Sequence, residues 1–280
     1  MEIDRQSLMI FFGLHGSWEN KHDRTFSLKE PHTNKTLMIV KKNRLPSKVF
    51  AIPFDDVVFL SSNFRFESGG DLWEVIIPQI GFIVSNSDQV LATGVSIYRN
   101  QNKIFMAGCS QVTVDQLAQL DFVVNIHYPD KTRAFVMRKF YQVISSFKSL
   151  DDCKMGFFHG DLHSPNVLMS NNVKHVVDFD DICISHIVLN IVQPFYVHAV
   201  KEYIREGNVE LFSRRKATFF DSLSAADADN FWNFVRLYGY YWETRVIPFR
   251  QSDHELRYQE LVKWFREIDE FVETALSGRI

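Results

Sequence analysis

The sequence has few cysteines, no long apolar run and no strong excess of one charge. Its 280 residues include three cysteines, Cys109, Cys153 and Cys183, which are odd in number and far apart. This pattern argues against a disulfide framework and favours a reducing compartment. No apolar run approaches the roughly 20 residues that span a bilayer. The N-terminus carries acids where a signal peptide needs positive charge. We therefore expect a cytoplasmic protein without a membrane segment.

The net charge of −3 gives no electrostatic reason to expect a nucleic acid or an anionic membrane as a partner. Apolar and aromatic residues are abundant, since 46% of the chain is hydrophobic and 26 residues are phenylalanine. A chain of this length and composition can bury a substantial core and form one large domain or two lobes.

Local patterns divide the chain into a strand-rich first third and a helical remainder. Short apolar runs between polar turns predict strands, and the segment 70–80 predicts a short helix that Pro78 ends early. After residue 108, apolar residues recur at three- and four-residue spacing, which is typical of amphipathic helices. The predicted strands are 36–40, 57–60, 90–98 and 103–107, and the predicted helices are 112–127, 132–150, 187–200, 226–246 and 254–276. We expect an α+β chain of two lobes, 1–108 and 109–280.

The stretch 159–181 concentrates polar residues around a short apolar segment, and it reads HGDLHSPNVLMSNNVKHVVDFDD. One interpretation is a β-hairpin that turns at residues 170–172. That interpretation accounts for the asparagine pair. It does not account for Asp161, Asn166 and Asp178, because acids and amides are poor residues for the buried ends of a hairpin.

A second interpretation is a metal hydrolase, because His159, Asp161 and His163 alternate side chains that can bind a metal. Such enzymes need further ligands from Gly-Asn-His and His-x-His elements, and the sequence contains neither. The histidines after His175 are isolated from one another, which disfavours a hydrolase.

A third interpretation is phosphoryl transfer, which needs a carboxylate that accepts the proton of the attacking hydroxyl group. It also needs an amide and a second carboxylate for magnesium, and kinase-type folds place that carboxylate after the following hairpin. Asp161 and Asn166 share one loop, and Asp178 comes after the hairpin. Their oxygen atoms are of the hard type that Mg²⁺ prefers. The spacing favours this third interpretation.

The residues His-Gly-Asp-Leu-His-x-x-Asn-Val-Leu, and then Val-Asp-Phe-Asp-Asp, carry a family resemblance. The chain resembles the aminoglycoside phosphotransferase and choline kinase-like branch of the protein-kinase-like fold, over about 132–181. The resemblance implies a bilobal fold with a β-rich N-terminal lobe and a mostly helical C-terminal lobe. It also implies transfer of the γ-phosphate of ATP, or of GTP, to a hydroxyl group with the help of Mg²⁺.

By this resemblance Asp161 is the catalytic base, Asn166 and Asp178 hold Mg²⁺, and His159 braces the loop. For His163 a role in the site and a hydrogen-bonded position in the core both stay open.

The next two acids, Asp180 and Asp181, either lie near the metal or cap the following helix. In the helix 226–246, one face is predicted to be core, as most such stripes are. In the family this region borders the acceptor pocket, so residues on the other faces are candidates for substrate contact. The predicted core face comprises Phe231, Phe234, Val235, Tyr238, Tyr241 and Trp242, and the candidates are Trp232, Arg236, Tyr240 and Glu243.

The nucleotide end of a kinase-like lobe needs a lysine on its third strand and an acid that orients this lysine. Lys41 comes directly after an apolar run and is favoured, with Lys42 as the alternative. Glu74, in the predicted helix 70–80, is the best available acid.

Two further segments belong to the predicted nucleotide site. Residues 13–17 predict a phosphate-covering turn that includes Ser17, although its glycines do not form Gly-x-Gly-x-x-Gly. The strip 103–109 resembles the last small-lobe strand and the hinge of the family.

We therefore expect a kinase whose partners are a nucleotide and a small molecule with a hydroxyl group, of the aminoglycoside, choline or sugar type. A protein kinase of the same fold and a non-catalytic pseudokinase are the alternatives. The complete set of Asp161, Asn166 and Asp178 argues against the pseudokinase. Asp180 stands where protein kinases have glycine, and no Ala-Pro-Glu comes after it, which favours a small-molecule acceptor.

Overall fold

A computed structural model describes residues 17–22, 25–30, 32, 36–42, 48–60, 64–68, 71–76, 83–113, 128–179 and 181–280. Its strands are β1 Ser17–His22, β2 Thr25–Lys29, β3 Thr36–Lys42, β4 Lys48–Ala51, β5 Val57–Phe59, β6 Phe64–Ser68, β7 Asp71–Ile76, β8 Ile83–Val84, β9 Ile104–Ala107, β10 Met155–Phe158, β11 Val167–Ser170, β12 Val173–Val176 and β13 Cys183–His186. Its α-helices are α1 Ser87–Arg99, α2 Asp130–Ile144, α3 Leu189–Phe195, α4 Lys201–Glu206, α5 Val209–Ala217, α6 Ala225–Arg250 and α7 His254–Leu276.

The N-terminal part contains an antiparallel sheet of five strands in the order β1-β2-β3-β7-β6. Alternating positions along these strands are buried, as expected for a sheet with an apolar face. Those positions include Leu28, Met38, Val40 and Trp73. The predicted strand 36–40 is confirmed as the central strand β3.

The prediction of a helix over 70–80 is wrong for 71–76, and residues 70 and 77–80 lie outside the described residues. Residues Asp71–Ile76 form strand β7, which pairs with β3 on one side and with β6 on the other. Leucine, tryptophan, valine and isoleucine are crowded into this short run, and aromatic and β-branched residues fit a pleated sheet better than a two-turn helix. Glu74 therefore lies on a strand.

The prediction of a strand at 90–98 is also wrong, because these residues belong to helix α1. Asn86 caps this helix, because its side chain accepts from the backbone N–H of Gln89 while the Gln89 side chain accepts from the backbone N–H of Asn86. Gly94 lets α1 approach α3, since a Cβ atom at this position would come within 2.1 Å of the Asn190 carbonyl oxygen. Pro194 has no N–H to donate to that carbonyl, which leaves it free to face α1.

Three small sheets organise the middle of the chain. Strand β4 pairs with β9, β10 pairs with β13, and the third sheet has the order β5-β12-β11-β8. The loop 159–166 connects β10 to β11, and the segment 177–182 connects β12 to β13. Because β10 pairs with β13 and β11 with β12, both connections emerge on the same side.

The C-terminal part contains the helices predicted at 187–200, 226–246 and 254–276, whereas the helix predicted over 132–150 ends at Ile144. The long helices α6 and α7 pack against each other and, with α1, α2 and α3, enclose an aromatic core. Most of the predicted helix 112–127 lies outside the described residues. None of the described helices combines the length and the apolar character needed to cross a membrane.

Candidate active site

The loop between β10 and β11 brings three side chains of the polar stretch together. Nε2 of His163 lies 3.2 Å from Oδ2 of Asp161. The side-chain amide of Asn166 donates to the same oxygen at 3.0 Å and to the backbone oxygen of Asp161 at 2.8 Å. Residues 164–166 form a single 3₁₀ turn, in which the Asn166 N–H donates to the His163 carbonyl. This turn holds the amide against the carboxylate.

The hairpin carries Asp178 back to the same place. Its strands β11 and β12 pair from Val167–Val176 to Ser170–Val173, and both turn residues, Asn171 and Asn172, have positive φ. Positive φ at both central residues defines the tight turn that hairpins favour. The predicted hairpin is thus present.

Beyond the hairpin, the backbone N–H of Val177 donates to the carbonyl oxygen of Asn166 at 3.0 Å. Asp178 is therefore one residue from a direct contact with the Asn166 backbone. Asp178 itself has φ of 66°, in the left-handed region that aspartate and asparagine tolerate better than most residues. Its neighbours Val177 and Phe179 pack into the protein and fix this conformation.

His159 braces the loop from below, as the family resemblance implies. Its ring is fully buried, Nε2 lies 3.0 Å from the Val177 carbonyl oxygen, and Nδ1 accepts from the Asp161 N–H at 3.3 Å. The carbonyl can only accept, so Nε2 carries the hydrogen and the ring is neutral. Burial lowers the pKa of His159 in the same direction. Both ring nitrogens are occupied, so His159 is not available as a metal ligand.

Asp161 is ionised at neutral pH. Burial acts to raise the pKa of its carboxyl group, but the hydrogen bond from His163 and the positive charges nearby, including Arg245, outweigh burial. The pKa lies below the ordinary value of 3.8. Since the carboxylate accepts, Nε2 of His163 is the donor in their contact. Among the described residues, hydrogen bonds reach Oδ2 only, which leaves Oδ1 open.

Helix α3 supplies two buried amides that hold the loop and that the sequence analysis missed. The Asn190 side chain accepts from the His159 N–H at 3.1 Å and donates to the Phe157 carbonyl at 2.6 Å. The Gln193 side chain donates to the Gly160 carbonyl at 3.0 Å. Two polar residues three apart in an apolar helix were the available signal, because buried amides need hydrogen-bond partners.

Helix α6 turns a different face towards the loop than predicted. Arg245 forms an ion pair with Asp181 at 3.5 Å, and its Nη1 lies 3.4 Å from the Tyr241 hydroxyl. Tyr238, predicted to be core, is buried, and the Asp161 charge helps raise the pKa of its phenol after the larger effect of burial. Arg245 and Tyr241 therefore lie on the side of α6 nearest the predicted base.

The four residues of α6 that were candidates for substrate contact lie elsewhere. Tyr240 and Glu243 are fully buried, and Trp232 is packed among aromatic rings. Arg236 forms ion pairs with Asp269 and Glu273 of α7. Their helical spacing directs all four into the core or towards α7, away from the side of α6 that carries Arg245 and Tyr241.

Of the two acids after Asp178, Asp181 lies within the described residues and Asp180 lies outside them. Asp181 does not cap α3, because the helix begins after Val188, without a capping side chain. Its carboxylate pairs with Arg245 instead.

At the predicted nucleotide end, Lys41 and Glu74 lie directly opposite each other in the register of β3 and β7. Lys42 lies opposite Trp73. Ser17 is the exposed first residue of β1, and the predicted turn before it lies outside the described residues. The strip 103–109 does contain a strand, β9, but it pairs with β4 and not with the five-stranded sheet.

The donor set fits a magnesium ion. Nδ2 of Asn166 points to Asp161, so its Oδ1 lies on the other branch of the amide, and the backbone of Asn166 contacts Val177, the residue before Asp178. One amide oxygen and one carboxylate suit Mg²⁺, which usually takes one or two protein ligands and completes its shell with phosphates and water. Across the described residues, His, Cys, Asp and Glu side chains form no group of three or more that could hold a metal by themselves.

Comparisons with known proteins agree with the resemblance. Residues 115–192, under a third of the chain, match the model of a phosphotransferase enzyme family. This range includes the loop and the hairpin described above. No curated protein sequence matches the chain.

Several solved structures have a fold similar to that of this chain. The amicoumacin kinase hAmiN, in complex with AMP-PNP, Ca²⁺ and Ami, has a TM-score of 0.57 and 12% identity over 95% of this chain and 93% of its own. A choline/ethanolamine kinase family protein from Mesorhizobium loti has a TM-score of 0.56 and 9% identity, over 96% and 97%. The aminoglycoside phosphotransferase APH(4)-Ia, as a thermostable mutant with ADP and hygromycin B, has a TM-score of 0.55 and 11% identity, over 95% and 99%. The predicted α+β kinase-like fold is therefore confirmed, and so is the resemblance to this family.

Proposed function

We propose that the protein is a kinase that transfers the γ-phosphate of ATP, or of GTP, to a hydroxyl group of a small molecule. The arrangement of Asp161, Asn166 and Asp178 carries this proposal. Phosphoryl transfer needs a carboxylate that accepts a proton, together with an amide and a second carboxylate for the metal. Asp161 and Asn166 share one loop, and Asp178 follows directly after Val177, whose N–H donates to the Asn166 carbonyl oxygen. The nucleotides bound to two of the similar folds, AMP-PNP and ADP, support it.

In this proposal Asp161 accepts the proton of the acceptor hydroxyl group through Oδ1. The hydroxyl oxygen bonds to the γ-phosphorus, the bond between that phosphorus and the β-phosphate oxygen breaks, and the nucleoside diphosphate leaves. Asp161 is suited to this role because it is ionised at neutral pH and because His163 and Asn166 fix its other oxygen.

Asn166 and Asp178 would hold Mg²⁺, which would supply positive charge to offset the negative charge of the phosphates. Lys41 would hold the α- and β-phosphates with Glu74 as its partner, since the two lie opposite each other in the sheet. Ser17 would contact the phosphates from the first strand. These assignments stay proposals.

A small-molecule acceptor is favoured over a protein by the short segment after Asp178. Strand β13 begins at Cys183 and pairs with β10, and helix α3 begins at Leu189. Protein kinases place a long activation segment at this point of the chain, and its ordering prepares the site. This chain has no room for such a segment.

The nature of the acceptor is best tested by measuring ATP consumption over a panel of hydroxyl compounds. The panel should contain aminoglycosides, choline and sugars, with Mg²⁺ present and Asp161→Asn as the blank. We expect at least one compound to stimulate the wild type and to leave Asp161→Asn lower by roughly 10²–10⁴-fold. Full activity in that variant would reject Asp161 as the base.

A second experiment separates the protein-kinase alternative. Radiolabelled ATP is incubated with the protein and a cell extract, and small molecules are separated from proteins. Label in the small-molecule fraction that depends on Asp161 supports the proposal. Label in a discrete protein, lost in Asp161→Asn, would favour a protein kinase.

A further inference from the structure

The two histidines that flank Asp161 have different surroundings. His159 is fully buried, and both of its nitrogens contact the backbone. His163 is about one-quarter exposed, at 27%, and its Nε2 contacts the carboxylate of Asp161, which is exposed to a similar degree. His163 is therefore not a core histidine. Its contact within the loop is with the predicted base itself.

His163 occupies one of two donor positions on a single oxygen. Nε2 of His163 at 3.2 Å and Nδ2 of Asn166 at 3.0 Å both face Oδ2 of Asp161. With two donors on Oδ2, rotation of the carboxylate would cost both hydrogen bonds. Oδ1 is thus held in one direction, and because no described residue forms a hydrogen bond with it, it is available to an incoming hydroxyl group.

The 3₁₀ turn of residues 164–166 helps to set the positions of His163 and Asn166 next to Asp161. His163 precedes the 3₁₀ turn that ends at Asn166, and its carbonyl oxygen accepts from the Asn166 N–H at 2.9 Å. The turn therefore fixes the backbone positions from which the imidazole and the amide extend. If the imidazole is removed, Asn166 still contacts Asp161, but only one donor opposes rotation of the carboxylate.

We propose that His163 is a positioning residue, which holds Oδ2 of Asp161 so that Oδ1 faces the acceptor hydroxyl group. The inference rests on the proposed role of Asp161 as the base. The reaction is otherwise unchanged, because the acceptor proton goes to Oδ1 and His163 keeps its own hydrogen. The same hydrogen bond stabilises the ionised carboxylate, and its loss should make Asp161 easier to protonate.

The first test needs no acceptor and no activity. The carboxyl group of Asp161 is titrated by NMR in the wild type, His163→Ala, His163→Gln and the control His254→Ala. His254 is exposed at the start of α7, so its loss should leave Asp161 unaffected. We expect Asp161 to titrate at higher pH in His163→Ala and closer to the wild type in His163→Gln, whose amide can still donate. Unchanged titration in His163→Ala would overturn the proposal.

The second test measures turnover of Mg·ATP with water as the acceptor. In His163→Ala the Asp161 carboxylate should shift by up to about an ångström. We expect this shift to lower kcat by up to about 100-fold, while KM for Mg·ATP stays constant. His163→Gln should recover part of the loss, and the acid limb of the pH profile should follow the NMR titration. Wild-type kcat in His163→Ala would reject the positioning role.

The two tests also separate this inference from the proposed function. If Asp161→Asn hydrolyses ATP as fast as the wild type, Asp161 is not the base and the positioning role is rejected with it. The NMR titration would then still report whether His163 contacts the carboxylate. If Asp161→Asn is inactive and His163→Ala is not impaired, only the role of His163 fails.

Discussion

The backbone of Gly160 packs directly against Asp181. A Cβ atom at Gly160 would lie 2.2 Å from the Asp181 carbonyl oxygen, and Gly160 has φ of 81°, in the left-handed region. The loop that carries Asp161 thus touches the segment beyond Asp178. Only glycine allows this approach, which joins the predicted base to the predicted metal ligands.

Gly160→Ala should therefore destabilise the protein by more than about 3 kcal/mol and abolish turnover. Gly207→Ala is the matched control, because Gly207 also has a left-handed φ of 68° but no atom within 4 Å of the new Cβ. For Gly207→Ala we expect the free energy of unfolding to fall only by the conformational cost of about 1–2 kcal/mol. Chemical denaturation of both variants gives the two values. Equal losses would show that the contact with Asp181 contributes nothing.

Asp178 has an unusual backbone conformation and is also a proposed ligand of Mg²⁺. Two substitutions separate the effects of these two properties. Asp178→Asn keeps a residue type that tolerates the φ of 66°, whereas Asp178→Ala adds a strain of about 1–2 kcal/mol. We expect both variants to lose Mg²⁺-dependent ATP binding, but Asp178→Asn to remain the more stable. Calorimetric titration of ATP with Mg²⁺ and with EDTA measures the first effect, and denaturation measures the second. Tight Mg²⁺-dependent binding by Asp178→Ala would contradict the ligand assignment.

Asn190 should be among the most sensitive positions outside the site. Its side chain is fully buried. Its removal leaves the His159 N–H without its partner and takes one of two side-chain donors from the Phe157 carbonyl, which Gln101 also contacts. We expect Asn190→Ala to cost about 3 kcal/mol in the free energy of unfolding. Asn233→Ala should cost about 1 kcal/mol or less, because Asn233 is half-buried and makes one bond, to the Ser146 carbonyl. Similar costs for the two would contradict the bracing role.

The parts of the site that lie close together in the chain could be predicted from the sequence. Asp161 and Asn166 share one turn, and Asp178 is separated from them by a short hairpin, so residue spacing determines their proximity. Long helices such as α6 and α7 were equally predictable, because their apolar residues repeat over many turns.

Contacts between distant segments could not be predicted in this way. Asn190 and Gln193 reach the loop, and Arg245 reaches Asp181, only because α3 and α6 pack against these segments. Helix α1 was mistaken for a strand because it contains β-branched residues and Gly94. The capping box before it was present in the sequence and was the better signal.

Lys41 and Lys42 should differ in their effect on turnover. Neighbouring residues of a strand point to opposite faces, and the register places Lys41 opposite Glu74 but Lys42 opposite Trp73. We expect Lys41→Ala to lower kcat on the order of 10²-fold and Lys42→Ala to have a smaller effect. The reverse ranking would move the role to Lys42.

A double-mutant cycle tests the partner of Lys41. If Glu74 orients Lys41, the effects of Lys41→Ala and Glu74→Ala on kcat should not add, since the second change removes an interaction already lost. Additive effects on kcat would show that Glu74 does not act through Lys41.

His198 gives the stability of the protein a dependence on pH. It lies in the π-helical turn Tyr196–Val200, with Nδ1 3.2 Å from the Ser87 hydroxyl, and Arg215 donates to its carbonyl oxygen. Burial, and after it the charge of Arg215, lowers the pKa of His198 to about 4. The unfolded chain binds the proton near its ordinary value of 6.5, so acid favours unfolding.

The free energy of unfolding should therefore fall as the pH drops from 6.5 to about 4, by about 3 kcal/mol from this group. Above pH 6.5 the histidine is neutral in both states and the effect is absent. His198→Gln should remove this part of the acid loss, while the exposed control His254→Gln should retain it. Urea denaturation at pH 7 and pH 4.5 measures the difference for all three proteins. An acid loss in His198→Gln as large as that of the wild type would show that His198 is not the responsible group.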